Sequence, residues 1–121
     1  MEKSTGHREK RRHPRASMDL PLEFRTTNFP ILHGGVVYNG SEIGLLIHSP
    51  KDMPVGEILS TSVFFAKGFR LSNFDAVAKI VRKCPHLNGD LKGFEYGLEF
   101  IQIMERDLQK LRELLIKQFR E

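Results

Sequence analysis

Tryptophan is absent from this 121-residue chain, tyrosine occurs twice and cysteine once. A lone thiol, Cys84, excludes an internal disulfide and fits a reducing, cytoplasmic setting. No apolar run approaches the ~20 residues that a membrane-crossing helix needs. The opening Met1-Glu2-Lys3-Ser4-Thr5-Gly6 has no apolar core behind its charges, unlike a secretory signal. The five histidines, His7, His13, His33, His48 and His86, share no ligand spacing, and Cys84-Pro85-His86 is a lone pair, so no metal site is expected. Ser/His/Asp and Cys/His arrangements, a Walker loop and paired carboxylates placed for catalysis are all missing, and Gly93-x-x-x-Gly97 is a strand feature. The expectation is a protein that is not an enzyme and needs no cofactor.

What is present is an ordinary globular composition, 40% hydrophobic and 28% charged, in a length that supports one core. The net charge of +4 is not spread evenly. Residues 1 to 15 hold six basic residues (Lys3, Arg8, Lys10, Arg11, Arg12, Arg15) against Glu2 and Glu9, which leaves a body with thirteen charges of each sign. A neutral body with a cationic leader suggests that the leader meets an anion, although a solvated tail explains the charge equally well. Residues 1–10 lack apolar periodicity and are predicted to form a flexible basic arm.

The body reads as short strands. Leu20, Leu22 and Phe24 alternate with Pro21, Glu23 and Arg25, and a second strand is predicted over Ile31 to Tyr38. Gly34-Gly35 inside it predicts a bulge or a close backbone approach. Asn39 to Ser41 reads as a turn, Gly44 to His48 as a third strand and Gly56 to Ala66 as a fourth with Leu59, Thr61, Val63 and Phe65 on one face. After a hairpin turn at Lys67-Gly68, a fifth strand runs from Arg70 to Lys83. Asn88-Gly89-Asp90 makes a turn before a sixth from Lys92 to Ile103, with Phe94, Tyr96, Leu98 and Phe100 on one face. A single helix is predicted over residues 105–120 from the stripe Met104, Leu108, Leu111, Leu115 and Phe119, which Leu114 and Ile116 widen. The fold class is therefore all-β with one terminal helix: a small six-stranded antiparallel β-barrel over about 17–103 plus the C-terminal α-helix.

Two short motifs stand out against this body. Arg11-Arg12-His13-Pro14-Arg15 contains Arg-x-x-x-Arg, and Asn39-Gly40-Ser41-Glu42-Ile43-Gly44 is Asn-x-Ser-x-x-Gly. With Asp19-Leu20-Pro21-Leu22 and the Tyr96-Gly97-Leu98-Glu99-Phe100 ending, they make the chain resemble the PilZ domain family over roughly Arg8 to Phe100. Members are small β-barrels, and many bind the bacterial second messenger cyclic di-GMP. The resemblance implies a single PilZ domain over 11–121 and a ligand site of Arg11, Arg12, Arg15, Asn39, Ser41 and Gly44. It also brings in Lys10, since a basic residue there accompanies a stacked ligand dimer in the family.

The residue types suit such a ligand. An Arg guanidinium matches the N7 and O6 acceptors of guanine or the oxygens of a phosphate, and can stack on a purine. In an extended stretch Arg11 and Arg15 stand up to ~13 Å apart on one side with Arg12 on the other, a clamp wider than one phosphate. Asn39 can meet another guanine edge, where the family often has Asp. Ser41 offers a hydroxyl, and Gly44 lets the ligand approach the backbone or supplies φ > 0. On its own, Asn-Gly-Ser is better read as a plain hairpin turn, and it is the Arg motif beside it that favours the ligand reading. Ordering five arm residues costs roughly 5–10 kcal/mol. One Arg–guanine pair returns ~1–3 kcal/mol and one stacked base a similar ~1–3. A preformed barrel wall must supply the rest, so the arm is expected to pass from loose to clamped.

Three functions are compatible with these residues. The first is a cyclic di-GMP receptor that relays occupancy to an unidentified protein partner, as a monomer or weak dimer without membrane insertion. The second is a nucleic-acid-binding module using the basic arm, against which the neutral body counts. The third is a PilZ-like adaptor that binds no nucleotide and works through its helix.

Overall fold

The computed structural model describes residues 14–27, 30–85 and 92–120, the side chains of 118–120 excepted. Six strands follow in order: β1 (Ala16–Thr26), β2 (His33–Gly40), β3 (Gly44–Ser49), β4 (Ile58–Lys67), β5 (Arg70–Pro85) and β6 (Phe94–Gln102). The helix α1 (Glu105–Arg120) ends the chain. Every pairing is antiparallel, and the strands close into a barrel in the order β1-β2-β3-β6-β5-β4, with β4 returning to β1. The predicted fold class is the observed one. The arm, Arg11, Arg12, His13 and the turn predicted at Asn88-Gly89-Asp90 lie outside the described residues.

Period-two alternation points one set of side chains inward. Leu22 and Phe24 from β1, Leu59 and Val63 from β4, Phe74, Ala78 and Ile80 from β5 and Tyr96 and Leu98 from β6 form the core with Leu45 and Ile47. Phe94 and Phe100, expected on the same face of β6, pack against this core only half-buried. Gly35 confirms the close approach expected of the Gly-Gly pair, because a Cβ there would lie 2.5 Å from the His48 carbonyl oxygen.

The connection from β3 to β4 has to cross one mouth of the barrel, because β3 lies beside β6 and β4 beside β1. Met53 in that loop is buried at 1% exposure. Tyr96 Oη accepts the Met53 N–H at 2.9 Å and donates to the Lys51 carbonyl at 2.6 Å, which ties the loop across the mouth.

The other mouth holds the start of β1, the β2–β3 turn, the β4–β5 turn and the end of β6, and α1 lies over it with Leu111 and Leu115 buried. The expected helical stripe holds at these positions and at the half-buried Leu108 and Leu114, but Met104 is 64% exposed. It precedes the first turn and is not yet over the core. Pairing of β5 with β6 reaches no further than Val77 and Gln102, so β5 runs on past its neighbour. There α1 takes the place of a strand: Asp107 Oδ1 accepts the Asp75 N–H at 3.0 Å, and Lys110 Nζ donates to the Asn73 carbonyl at 2.9 Å.

Candidate functional site

The two motifs meet at the helix-covered mouth. Ala16 pairs with Gly40 and Ser17 with Asn39, which brings the chain just before β1 alongside the end of β2. Asn39 and Gly40, expected in a turn, are the last residues of β2, and the turn itself is 41–43.

Strict alternation from the buried Val37 would send Asn39 inward. Two bulges prevent this. Met18 and Asp19 of β1 together oppose Tyr38, with Asp19 at φ +52°, and Tyr38 is itself an extra residue against β3. The slip leaves Tyr38 and Asn39 both half-exposed and turns Gly40 inward, where a Cβ would lie 2.7 Å from Leu45 Cδ2. Asn39 Oδ1 then accepts a hydrogen bond from Arg15 Nε at 2.7 Å. One residue from each motif is thus joined across twenty-four positions of sequence.

The turn is tightly made. The Ser41 N–H donates to the Gly44 carbonyl at 2.9 Å, and Ser41 Oγ accepts the Ile43 N–H at 3.2 Å. Ser41 is fully buried. Gly44 has no left-handed φ, and its need for glycine comes from β6: a Cβ would overlap the Leu98 carbonyl oxygen. The Phe100 N–H donates to the Ile43 carbonyl at 2.8 Å, and Arg112 Nε of α1 reaches Glu42 Oε1 at 3.2 Å. Both the last strand and the helix therefore hold the turn.

Beside it, the outer wall carries groups that the sequence did not single out. The Tyr38 ring lies 6.3 Å from that of His48, whose Nε2 donates to the Lys92 carbonyl at 3.2 Å. Burial first, then the carboxylates of Glu95 and Asp19, raise the Tyr38 hydroxyl above its usual pKa, so it is a neutral aromatic surface at physiological pH. Leu46 pairs with Gly97, and Gly97 with Arg82, whose side chain passes over the glycine. The adjacency of Tyr38 to Asn39 was a usable signal for the first. The Arg82 position follows from a bulge between Ile80 and Arg82 that alternation does not reveal.

A cleft of about 590 Å³ opens elsewhere, between β1, β4, β5 and the start of α1. Its Asp75 carboxylate already accepts from Ser62 Oγ at 2.6 Å and Asn73 Nδ2 at 2.8 Å, and no motif residue lines it. Among the described residues no cluster of His, Cys, Asp or Glu could hold a metal ion, and no helix is long and apolar enough to cross a membrane.

A family model for the PilZ domain matches residues 9–117. The chain belongs to the PilZ domain family. Solved structures of similar shape include the Bacillus subtilis inhibitor of motility MotI/DgrA, at 17% identity and a TM-score of 0.74, covering 88% of this PilZ chain and 50% of that one. The PilZ domain of Escherichia coli YcgR with c-di-GMP gives 13% identity and a TM-score of 0.69 over 92% of each chain. A YcgR complex with c-di-GMP from the same organism gives 12% and 0.67, over 92% of this chain and 46% of that one. The PilZ chain thus spans about half the length of two of these three, and at such identities the likeness is one of fold. No curated protein matches.

Proposed function

We propose that this PilZ domain is a receptor for cyclic di-GMP that passes occupancy on to a protein partner. The observation that carries the proposal is the Arg15–Asn39 hydrogen bond, because it joins the two motifs at one place on the outer wall. The YcgR structures that resemble the chain carry c-di-GMP in their own sites.

In this scheme Arg15 exchanges present contacts for the N7 and O6 acceptors of one guanine, and Asn39 meets a guanine edge beside it. Arg11 and Arg12 close from the arm onto the phosphates or the second guanine, with Lys10 as a further cation. Tyr38 offers a ring for stacking, worth ~1–3 kcal/mol per base. Ser41, buried with its oxygen engaged, and Gly44, packed against β6, shape the turn that presents Asn39. Occupancy reaches α1 through Glu42 and Arg112, and α1 with the closed arm is the surface a partner reads.

Isothermal titration with cyclic di-GMP tests this. Saturable binding is expected, with Arg15→Ala and Asn39→Ala each losing about fivefold to 150-fold in affinity, the equivalent of one bidentate contact. Affinity unchanged in both variants would reject the site.

A further inference from the structure

The β4–β5 hairpin turns on Gly68 and Phe69 between the paired Lys67 and Arg70. Gly68 has φ +65° and open space around it, while Phe69 has no left-handed φ. A two-residue hairpin of this kind needs glycine at its first position and makes no demand for an aromatic at its second. Yet Phe69 is there at 109% relative exposure, with Leu71 at 75%. Phe24, Phe65 and Phe74 are buried, and Phe64, Phe94 and Phe100 are half-buried, so Phe69 alone among the phenylalanines with described side chains is exposed.

Its neighbours are cations. Lys67 and Arg70 are exposed on either side, and Lys67 Nζ lies 3.7 Å from Glu113 Oε1. That contact sets the tip beside the flank of α1 that carries Ile116, 53% exposed, and Lys117. The root of the basic leader, Pro14 to Ala16, stands at the same mouth of the barrel. The first fifteen residues hold the whole net charge of the chain.

We propose that this end of the domain docks on an anionic lipid surface, with Phe69, Leu71 and Ile116 entering the interface and Lys67, Arg70 and Lys117 against the headgroups. A bilayer fits the shape better than a protein pocket. The apolar groups crown a protrusion rather than line a groove, and a fluid surface takes up a protrusion without a preformed cavity. Neither signal is strong alone, and stable peripheral attachment ordinarily needs an apolar anchor together with a polybasic segment. Here the apolar groups share one mouth with Lys67, Arg70 and Lys117 and with the root of the basic leader, Pro14 to Ala16. The inference is independent of nucleotide binding.

Vesicle sedimentation of the full chain tests it, with phosphatidylcholine vesicles compared with the same vesicles containing phosphatidylglycerol. The chain should partition onto the anionic vesicles only, and less as salt rises. Phe69→Ser should lower the partition coefficient about tenfold. Arg70→Gln should lower it about fivefold. Both variants should keep the wild-type circular dichroism and unfolding midpoint, since the tip is outside the core. No partition onto anionic vesicles, or partition indifferent to Phe69→Ser, would overturn the proposal. So would a lipid-free dimer that Phe69→Ser dissociates, because the patch would then be a contact between copies.

Discussion

At the scale of single residues, Tyr96 shows how one polar atom can close a barrel. Its ring is wholly out of solvent, and its hydroxyl serves the loop over the far mouth as both acceptor and donor. Tyr96→Phe keeps the ring and strands the Met53 N–H and the Lys51 carbonyl. Urea unfolding should show a loss of about 1–3 kcal/mol at neutral pH, the cost of buried groups left unsatisfied. The pH dependence has a definite sign. Burial raises the Tyr96 pKa above the ordinary 10.0, opposed by the hydrogen bond from Met53 and by Lys83, and reinforced by Asp52. The folded chain therefore holds this proton more tightly than the unfolded chain does. The hydroxyl's contribution is complete below pH 10 and is lost as pH rises from there through the raised value. Tyr96→Phe should flatten that alkaline decline without abolishing it, since Tyr38 is shifted the same way. A decline equally steep in the variant would place its cause elsewhere.

At the scale of elements, α1 acts as a seventh edge for β5, and its two kinds of polar contact differ in weight. Asp107 is buried and accepts a backbone N–H, whereas Arg112 and Glu42 meet at side chains about 40% exposed. A hydrogen bond to a charged, buried acceptor is worth about 1.5–3 kcal/mol, and an exposed ion pair about 0–1 kcal/mol. Asp107→Ala should therefore lower stability by about 2 kcal/mol or more in chemical denaturation, while Arg112→Ala should cost less than about 1. Equal losses would mean that α1 is held by its rim rather than by the β5 edge.

The same elements show what the sequence disclosed. Leu59, Thr61, Val63 and Phe65 alternate on β4 as written, because each inward side chain has to be apolar or hydrogen-bonded. The bulges at Tyr38 and at Met18–Asp19 left no such trace, since one extra residue keeps the composition and changes only the register. For that reason Asn39 was legible as a motif residue but not as the end of a strand beside Arg15. Gly44 was legible as a motif residue, but the packing that demands glycine there was not: the Leu98 carbonyl is more than fifty residues away, and no local pattern points to it.

For the whole molecule, the closed ring leaves two mouths with different attachments, and this makes the proposed receptor testable without a variant. Cyclic di-GMP at a hundred times its dissociation constant would stabilise the folded state by about 2.7 kcal/mol. Amides that exchange only through global unfolding, such as those of the central strands, should then slow about a hundredfold together. Amides that exchange through local openings respond only where the ligand touches or clamps. The Ser41 N–H, bonded to Gly44, and the Phe100 N–H, bonded to Ile43, belong to the motif mouth. The Met53 N–H, held by Tyr96, and the Gly56 N–H, bonded to Ile80 at 2.7 Å, belong to the opposite one. Hydrogen exchange with ligand should protect the first pair beyond its free-state local openings and leave local exchange of the second pair as it was. Protection confined to the Met53 loop would move the site to the other mouth, and exchange unaltered throughout would remove the nucleotide from the account of this domain.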